Sequence, residues 1–149
     1  MTKRNTGRKI IAALIDYSII ITINFCLILI FGQPIQDKPE SYELTGFPAL
    51  TTIIPWIIFT VCFEYFFGST LGNGIVGLKP VTEKNQNKKI TFLQSLQRHL
   101  LDPIDMMFFG IVGYLVMKSN HNGQRLGDIW AKTVVVNIET KFKTSANSG

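Results

Sequence analysis

The sequence predicts an all-α integral membrane domain: two transmembrane helices, plus a re-entrant helical hairpin or a third span, with a small cytoplasmic β element. Three observations carry that expectation. The apolar residues of the 149-residue chain concentrate in three blocks, Lys9–Phe31, Phe47–Phe67 and Leu100–Met117. All 15 Lys and Arg lie outside these blocks or at their edges. Of the 10 acids, Asp16, Glu64, Asp102 and Asp105 lie inside them. The formal charge of +5 therefore belongs to loops and tails between apolar blocks, not to a nucleic-acid surface. The chain reads as one domain with its core at about residues 8–137 and a polar tail at 138–149.

The first block, introduced by Arg8, has the length of a spanning helix, which needs ~20 mostly apolar residues at ~1.5 Å each. Asp16 interrupts it. An aspartate costs roughly 2.5 to 3.5 kcal/mol at the centre of a membrane helix, so it must face protein or water. Ala12 and Ala13, one turn before it, form a small-residue patch where another helix can approach closely. The run exceeds the ~7–15 residues of a signal-peptide core and ends at Phe31-Gly32-Gln33-Pro34 without a small-residue cleavage site, so an uncleaved anchor is expected. Cys26 and Cys62 have no paired spacing and are expected as small apolar packing residues.

The loop Gly32–Gly46 is acidic, with Asp37, Glu40 and Glu43 against Lys38. In the second block Pro55 should kink the helix, while Thr60 and Glu64, four apart, share a face. Gly68–Arg98 is basic, and within it Ile75–Val81 and Ile90–Phe92 flank the polar tip Glu83–Lys89 as a candidate hairpin. Thr91 with Gln94 three residues later is a helix-start signature, followed by Leu93, Leu96, Leu100 and Leu101 at helical spacing. Basic cytoplasmic loops then place the N-terminus and Gly68–Arg98 inside, in a cytoplasmic (inner) membrane. The third block holds an uninterrupted apolar run, Met106–Met117, too short to cross. A hairpin of Thr91–Leu101 and Ile104–Met117, broken near Pro103, is favoured over a third span. It lets the β-branched run Thr133–Ile138 pair with Ile75–Val81 on one side of the membrane.

By Gln124-Arg125-Leu126-Gly127-Asp128 the sequence resembles the RDD family, small membrane proteins named for one arginine and two aspartates. The resemblance runs from about Arg8 to Val136 and includes Gly68-Ser69-Thr70-Leu71-Gly72 and Gly77-Leu78-Lys79. It implies that Arg8 is the family's arginine, Asp16 the first aspartate and Asp128 the second. Asn73 departs from the usual basic residue, and Lys132 from the usual glycine. For such proteins membrane transport, including cation–proton exchange, has been suggested.

The candidate functional or ion-pairing residues are Arg8, Asp16, Glu64, Asp102, Asp105, Arg125 and Asp128. Asp16 and Glu64 enter from the same surface and would share a proton or hold a cation if paired; no buried Lys or Arg is expected beside them. Alternatively Asp16 accepts from Arg8, Arg98 or Arg125 as a structural lock, and Glu64 snorkels to the interface. Asp102 and Asp105 either line a cation path or cap the second half of the hairpin. Arg125 either pairs locally with Asp128 or reaches Asp16 or Asp102. Gly72, Gly74 and Gly77 spell a dinucleotide fingerprint but follow a membrane span instead of a strand. His99 and His121 lack metal-ligand spacing, so neither a cofactor, a metal nor an enzymatic centre is expected. Two functions remain: a cation or proton transport component using intramembrane carboxylates, or an accessory and assembly protein whose basic face binds lipid or a partner. Partners are then the lipid bilayer and a second copy or another membrane protein, and no nucleic acid.

Overall fold

The computed structural model describes residues 5–138 and is mostly helical. Helix α1 runs unbroken over Thr6–Phe31. Lys9, Ala12, Asp16 and Ile20 recur at three- and four-residue spacing and form its one buried stripe. Ile11, Leu14, Ile21, Phe25 and Leu29 point outward. A second helix, α2, spans Phe47–Phe67. Both are long and apolar enough to cross a membrane. Only 11% and 22% of their most apolar windows are buried inside the chain, so most of their surface faces something else.

Between them the acidic loop forms an antiparallel hairpin of β1 (Gln33–Ile35) and β2 (Lys38–Glu43), turning at Gln36-Asp37. Nothing in its polar composition signals strands, and its tight two-residue turn supplies the register.

Helix α2 changes winding along its length. It opens as a 3-10 helix over Phe47–Thr52, becomes α at Ile53, widens to π over Ile57–Cys62 and returns to α at Phe63. Pro55 does not end the helix. Pro55 falls in the first turn of the α-helical stretch, where its missing N–H is not needed. The π turn brings Thr60, Val61 and Glu64 onto the buried face. Ser95 Oγ lies 3.2 Å from the Val61 carbonyl there. Gly68, at φ +83°, closes the helix in the left-handed conformation that glycine adopts without strain.

Two short helix–strand units follow, separated by a bent helical segment. Helix α3 (Leu71–Ile75) leads into β3 (Leu78–Thr82). Helix α7 (Leu126–Trp130) leads into β4 (Thr133–Asn137). The units repeat at one constant offset: Leu71-Gly72-Asn73 matches Leu126-Gly127-Asp128, and the positive-φ residue Gly77 matches Lys132. The strands pair antiparallel with Pro80 opposite Val135, Leu78 opposite Asn137 and Thr82 opposite Thr133. Pro80 and Val135 are themselves equivalent positions, so a local two-fold passes between them. Val81, Val134 and Val136 form the apolar core beneath this pair. The candidate hairpin between Ile75–Val81 and Ile90–Phe92 is not formed. β4 takes the edge of β3 instead, because its valine run buries where Ile90-Thr91-Phe92 cannot, Thr91 being committed to a helix cap.

Thr91 starts α4 (Phe92–Leu100) with the expected reciprocal cap to Gln94. α5 (Asp102–Asp105) and α6 (Met107–Ser119) complete the third segment. The axis bends by 114° between Phe92–Asp105 and Gly110–Ser119. The break therefore lies after Asp105, with Gly110 at φ +84°, and not near Pro103 as expected. Pro103 stands in the first turn of α5, where proline is compatible with a helix.

Candidate functional site

The charged residues meet where α1, α2, α4, α5 and α7 converge. Asp16 projects from α1 between two donors of the α3 unit. Its Oδ2 accepts from Thr70 Oγ1 at 2.6 Å, and its Oδ1 from the Gly72 backbone N–H at 2.7 Å. A carboxylate at that place satisfies otherwise orphaned first-turn donors of α3. Gly72 permits the approach, since a Cβ there would stand 2.1 Å from the Ala12 carbonyl oxygen. The Ala12 patch is thus the expected site of close approach, although the approaching element is a five-residue helix.

The second unit repeats the arrangement. Asp105 accepts from the Leu126 and Gly127 backbone N–H groups at 3.2 and 3.4 Å, and a Cβ on Gly127 would stand 2.1 Å from the Arg98 carbonyl oxygen. Each Leu-Gly helix is therefore capped by an aspartate from a helical segment outside it.

Between the two caps lies a cluster of ion pairs. Arg98, fully buried, places Nη1 3.0 Å from Asp128 Oδ1 and Nε 3.3 Å from Glu64 Oε2. Its Nη1 is also 3.3 Å from Thr133 Oγ1. Lys9 Nζ donates to the Gly123 carbonyl at 2.6 Å and lies 3.7 Å from Asp128 Oδ2. Ser95 Oγ donates to Glu64 Oε2 at 2.8 Å. His99 stands between two acids, its Nδ1 2.7 Å from Asp102 Oδ2 and its Nε2 3.3 Å from Glu64 Oε2. An imidazolium, which donates from both nitrogens, suits both contacts. Arg125 Nη1 is 3.4 Å from Asp102 Oδ1. Asp128 also accepts the Arg125 backbone N–H at 3.1 Å.

Asp128 and Arg125 lie in the loop and short helix beyond the third segment. Burial by itself would raise the Asp128 carboxyl; the charges of Arg98, Lys9 and Arg125 outweigh it and hold the group at about 2. Burial would lower the Arg125 guanidinium, but Asp102, Asp128 and Asp105 outweigh it and raise the group.

Several sequence expectations are corrected by this geometry. Asp16 accepts from a hydroxyl and an amide, not from Arg8, Arg98 or Arg125. Arg8 is exposed, and the neighbouring Lys9 occupies the buried stripe of α1. Glu64 is fully buried and ion-paired, so it does not snorkel; its partners are Arg98 and His99, and not Asp16. The acids are not without buried cations, since Lys9 and Arg98 lie among them. Asp102 and Asp105 do not cap α6, which starts at Met107; one pairs with His99 and Arg125 and the other caps α7. Arg125 reaches Asp102, the longer-range of the two readings, while its link to Asp128 is through its backbone. Cys26 is exposed and Cys62 half-buried, both free, so Cys26 is not a packing residue within this chain.

Lys9, Thr70, Gly72, Ser95 and His99 individually carry no signal in the sequence as members of a site, and Arg98, a candidate partner of Asp16 there, pairs with Glu64 and Asp128 instead. The Leu-Gly-Asn and Leu-Gly-Asp repeat was a signal for two of the contacts; the rest depend on tertiary packing. Among the described residues no group of His, Cys, Asp and Glu could hold a metal ion. A cavity of about 20 Å³, the size of one water, lies at the centre of the cluster against Asp16, Tyr17, Thr60, Arg98, His99 and Asp102.

No curated protein and no solved structure matches the chain significantly. The RDD family model matches residues 4–132. With that match covering most of its length, the chain belongs to the RDD family, and with two helices suited to crossing a bilayer it is a membrane protein.

Proposed function

We propose that this protein is a non-enzymatic integral membrane protein of the cytoplasmic membrane, built as two spans and a re-entrant hairpin, whose buried charges lock the cytoplasmic ends of the helices together. On this reading it acts as an accessory or assembly component, and its basic face meets anionic lipid or a partner. One observation carries the reading. Asp16, Glu64, Asp102, Asp105 and Asp128 each contact a donor or cation from another element. A carboxylate engaged in this way is costly to move and suits a fixed joint better than a carrier. The same contacts support this topology. Lys9 at the start of α1 touches Gly123 and Asp128, and β3 after α2 pairs with β4. An even number of crossings between these elements keeps all of them on one side. Their basic flanks favour the cytoplasm.

A second reading, transport of protons or cations, is favoured by the charge count. Five carboxylates face Lys9, Arg98, Arg125 and His99, so the cluster carries a net negative charge even with His99 protonated. Its central cavity would hold the passing water or ion. Three helical segments do not enclose an aqueous path, so on this reading transport occurs against a second copy or another membrane protein. The exposed apolar surface of α1 suits such an interface.

Replacing Asp16 separates the two. Asp16→Asn keeps an acceptor for the Gly72 amide and removes the charge. If the residue is a lock, Asp16→Asn assembles at reduced stability and Asp16→Ala fails to accumulate, because Thr70 and Gly72 lose their acceptor. If it carries ions, Asp16→Asn accumulates normally and loses proton or cation flux in vesicles.

A further inference from the structure

A groove of about 370 Å³ separates α1 from α6. Its walls are apolar, formed by Ile10, Ala13 and Leu14 on one side and Ile111, Tyr114 and Met117 on the other. Its polar end holds Lys9 and Arg125. The side chain of Arg125 is 16% exposed and forms one ion pair among the described residues, the 3.4 Å contact with Asp102. Five fixed donors exceed what that contact uses.

We infer that this groove holds one acyl chain of an anionic phospholipid, with the headgroup phosphate at Arg125. The inference rests on the topology proposed above, which puts Lys9 at the cytoplasmic surface. Length supports it. From Lys9 to Tyr17, α1 descends about 12 Å at ~1.5 Å per residue, close to the ~15 Å of one hydrocarbon leaflet. A headgroup at Lys9 and Arg125 therefore leaves its chain running along Ile10, Leu14 and Tyr114. Charge selects the headgroup: the groove's lining holds Lys9, Arg125 and one acid, Asp105, whose oxygens are already held by the Leu126 and Gly127 amides, while Asp128 and Asp102, the acids that pair with the two cations, are not part of that lining. One net negative lipid charge beside a basic side chain is worth about fivefold in affinity.

The test is native mass spectrometry of the purified full chain, released from micelles containing equal phosphatidylglycerol and phosphatidylcholine. The wild type should retain one phosphatidylglycerol per chain, about fivefold over phosphatidylcholine. Arg125→Gln should bring the two lipids to parity. Because that variant also loses the Asp102 pair, Ile111→Trp provides an independent arm: it enlarges an exposed, uncharged side chain of the groove wall and should lower retention of both lipids about fivefold. Equal retention of the two lipids by the wild type would overturn the inference, as would undiminished retention by Ile111→Trp or a second copy of the chain retained in place of lipid. Those results, obtained with both termini on one side of the membrane, sink the lipid site alone. Termini on opposite sides sink the topology beneath it.

Discussion

Replacing Gly72 by alanine should damage the protein far more than the same change at Gly74 in the same short helix. A Cβ on Gly72 would meet the Ala12 carbonyl oxygen at 2.1 Å, the Ala12 carbonyl carbon at 2.8 Å and Asp16 Oδ2 at 2.9 Å. The first two belong to the backbone of α1 and cannot rotate away. Relief requires α3 to retreat, which breaks the 2.7 Å bond from Gly72 N to Asp16 and leaves a buried carboxylate short of a donor. Overpacking costs about 1–3 kcal/mol and a lost bond to a buried charge about 1.5–3 kcal/mol. Together these make about 3–5 kcal/mol, a large part of a typical 5–15 kcal/mol stability. At roughly 2–4 °C per kcal/mol for a chain of this size, the unfolding midpoint should fall by about 6–20 °C. At Gly74 the nearest atom is the rotatable Ser69 hydroxyl at 3.3 Å, so Gly74→Ala should stay within about 0.5 kcal/mol. Gly127→Ala, facing the Arg98 carbonyl at 2.1 Å, should match Gly72→Ala. The assay is thermal unfolding of the detergent-solubilised chain followed by intrinsic fluorescence. Equal midpoints for Gly72→Ala and Gly74→Ala would refute the reasoning.

Other outcomes follow from the charge cluster. Arg98→Gln leaves Glu64 and Asp128 short of a buried cation and should cost about 3–5 kcal/mol, seen as loss of the monodisperse peak in size-exclusion chromatography. Lys9→Gln should lower the unfolding midpoint by several degrees, whereas Arg8→Gln, at an exposed position, should leave it unchanged; the reverse order would restore Arg8 as the structural cation. Asp128 is held at about 2 in the fold against an ordinary 3.8, so its contribution is present above pH ~4 and disappears as the pH falls toward 2. The part of that loss reached by pH 3, about 1 kcal/mol, should appear in urea titrations at pH 3 relative to pH 6 and be absent in Asp128→Asn.

The spans were legible because their signal is local: length and apolarity of α1 and α2 suffice, and Thr91 with Gln94 marks the start of α4 without any tertiary information. Asp16 was legible as a residue needing company, and its small neighbours as the place where company arrives. Its partner was not, because Thr70 and the Gly72 amide are ordinary loop atoms until α3 folds against Ala12. Arg98 read as one of three possible cations for Asp16, and His99 as a histidine without metal-ligand spacing; their burial beside Glu64 depends on the π turn of α2 turning Glu64 toward them. The repeat of Leu71-Gly72-Asn73 in Leu126-Gly127-Asp128 stood in the sequence, but three residues carry weight only when their strands are seen to pair across a two-fold. Lys9 displaced Arg8 for a geometric reason. It shares a helical stripe with Ala12 and Asp16, whereas Arg8 lies a hundred degrees away on the helix wheel.

The most direct measurement is the side of the membrane on which each end lies. Fusions of a fluorescent protein that matures only in the cytoplasm, and of a phosphatase active only outside it, at Met1 and after Gly149, read both ends in living cells. The buried contacts of Lys9 with Asp128 and of β3 with β4 predict fluorescence and no phosphatase activity from either end. Phosphatase activity from the C-terminal fusion alone would mean a third full crossing, and the charge cluster described here could not then form.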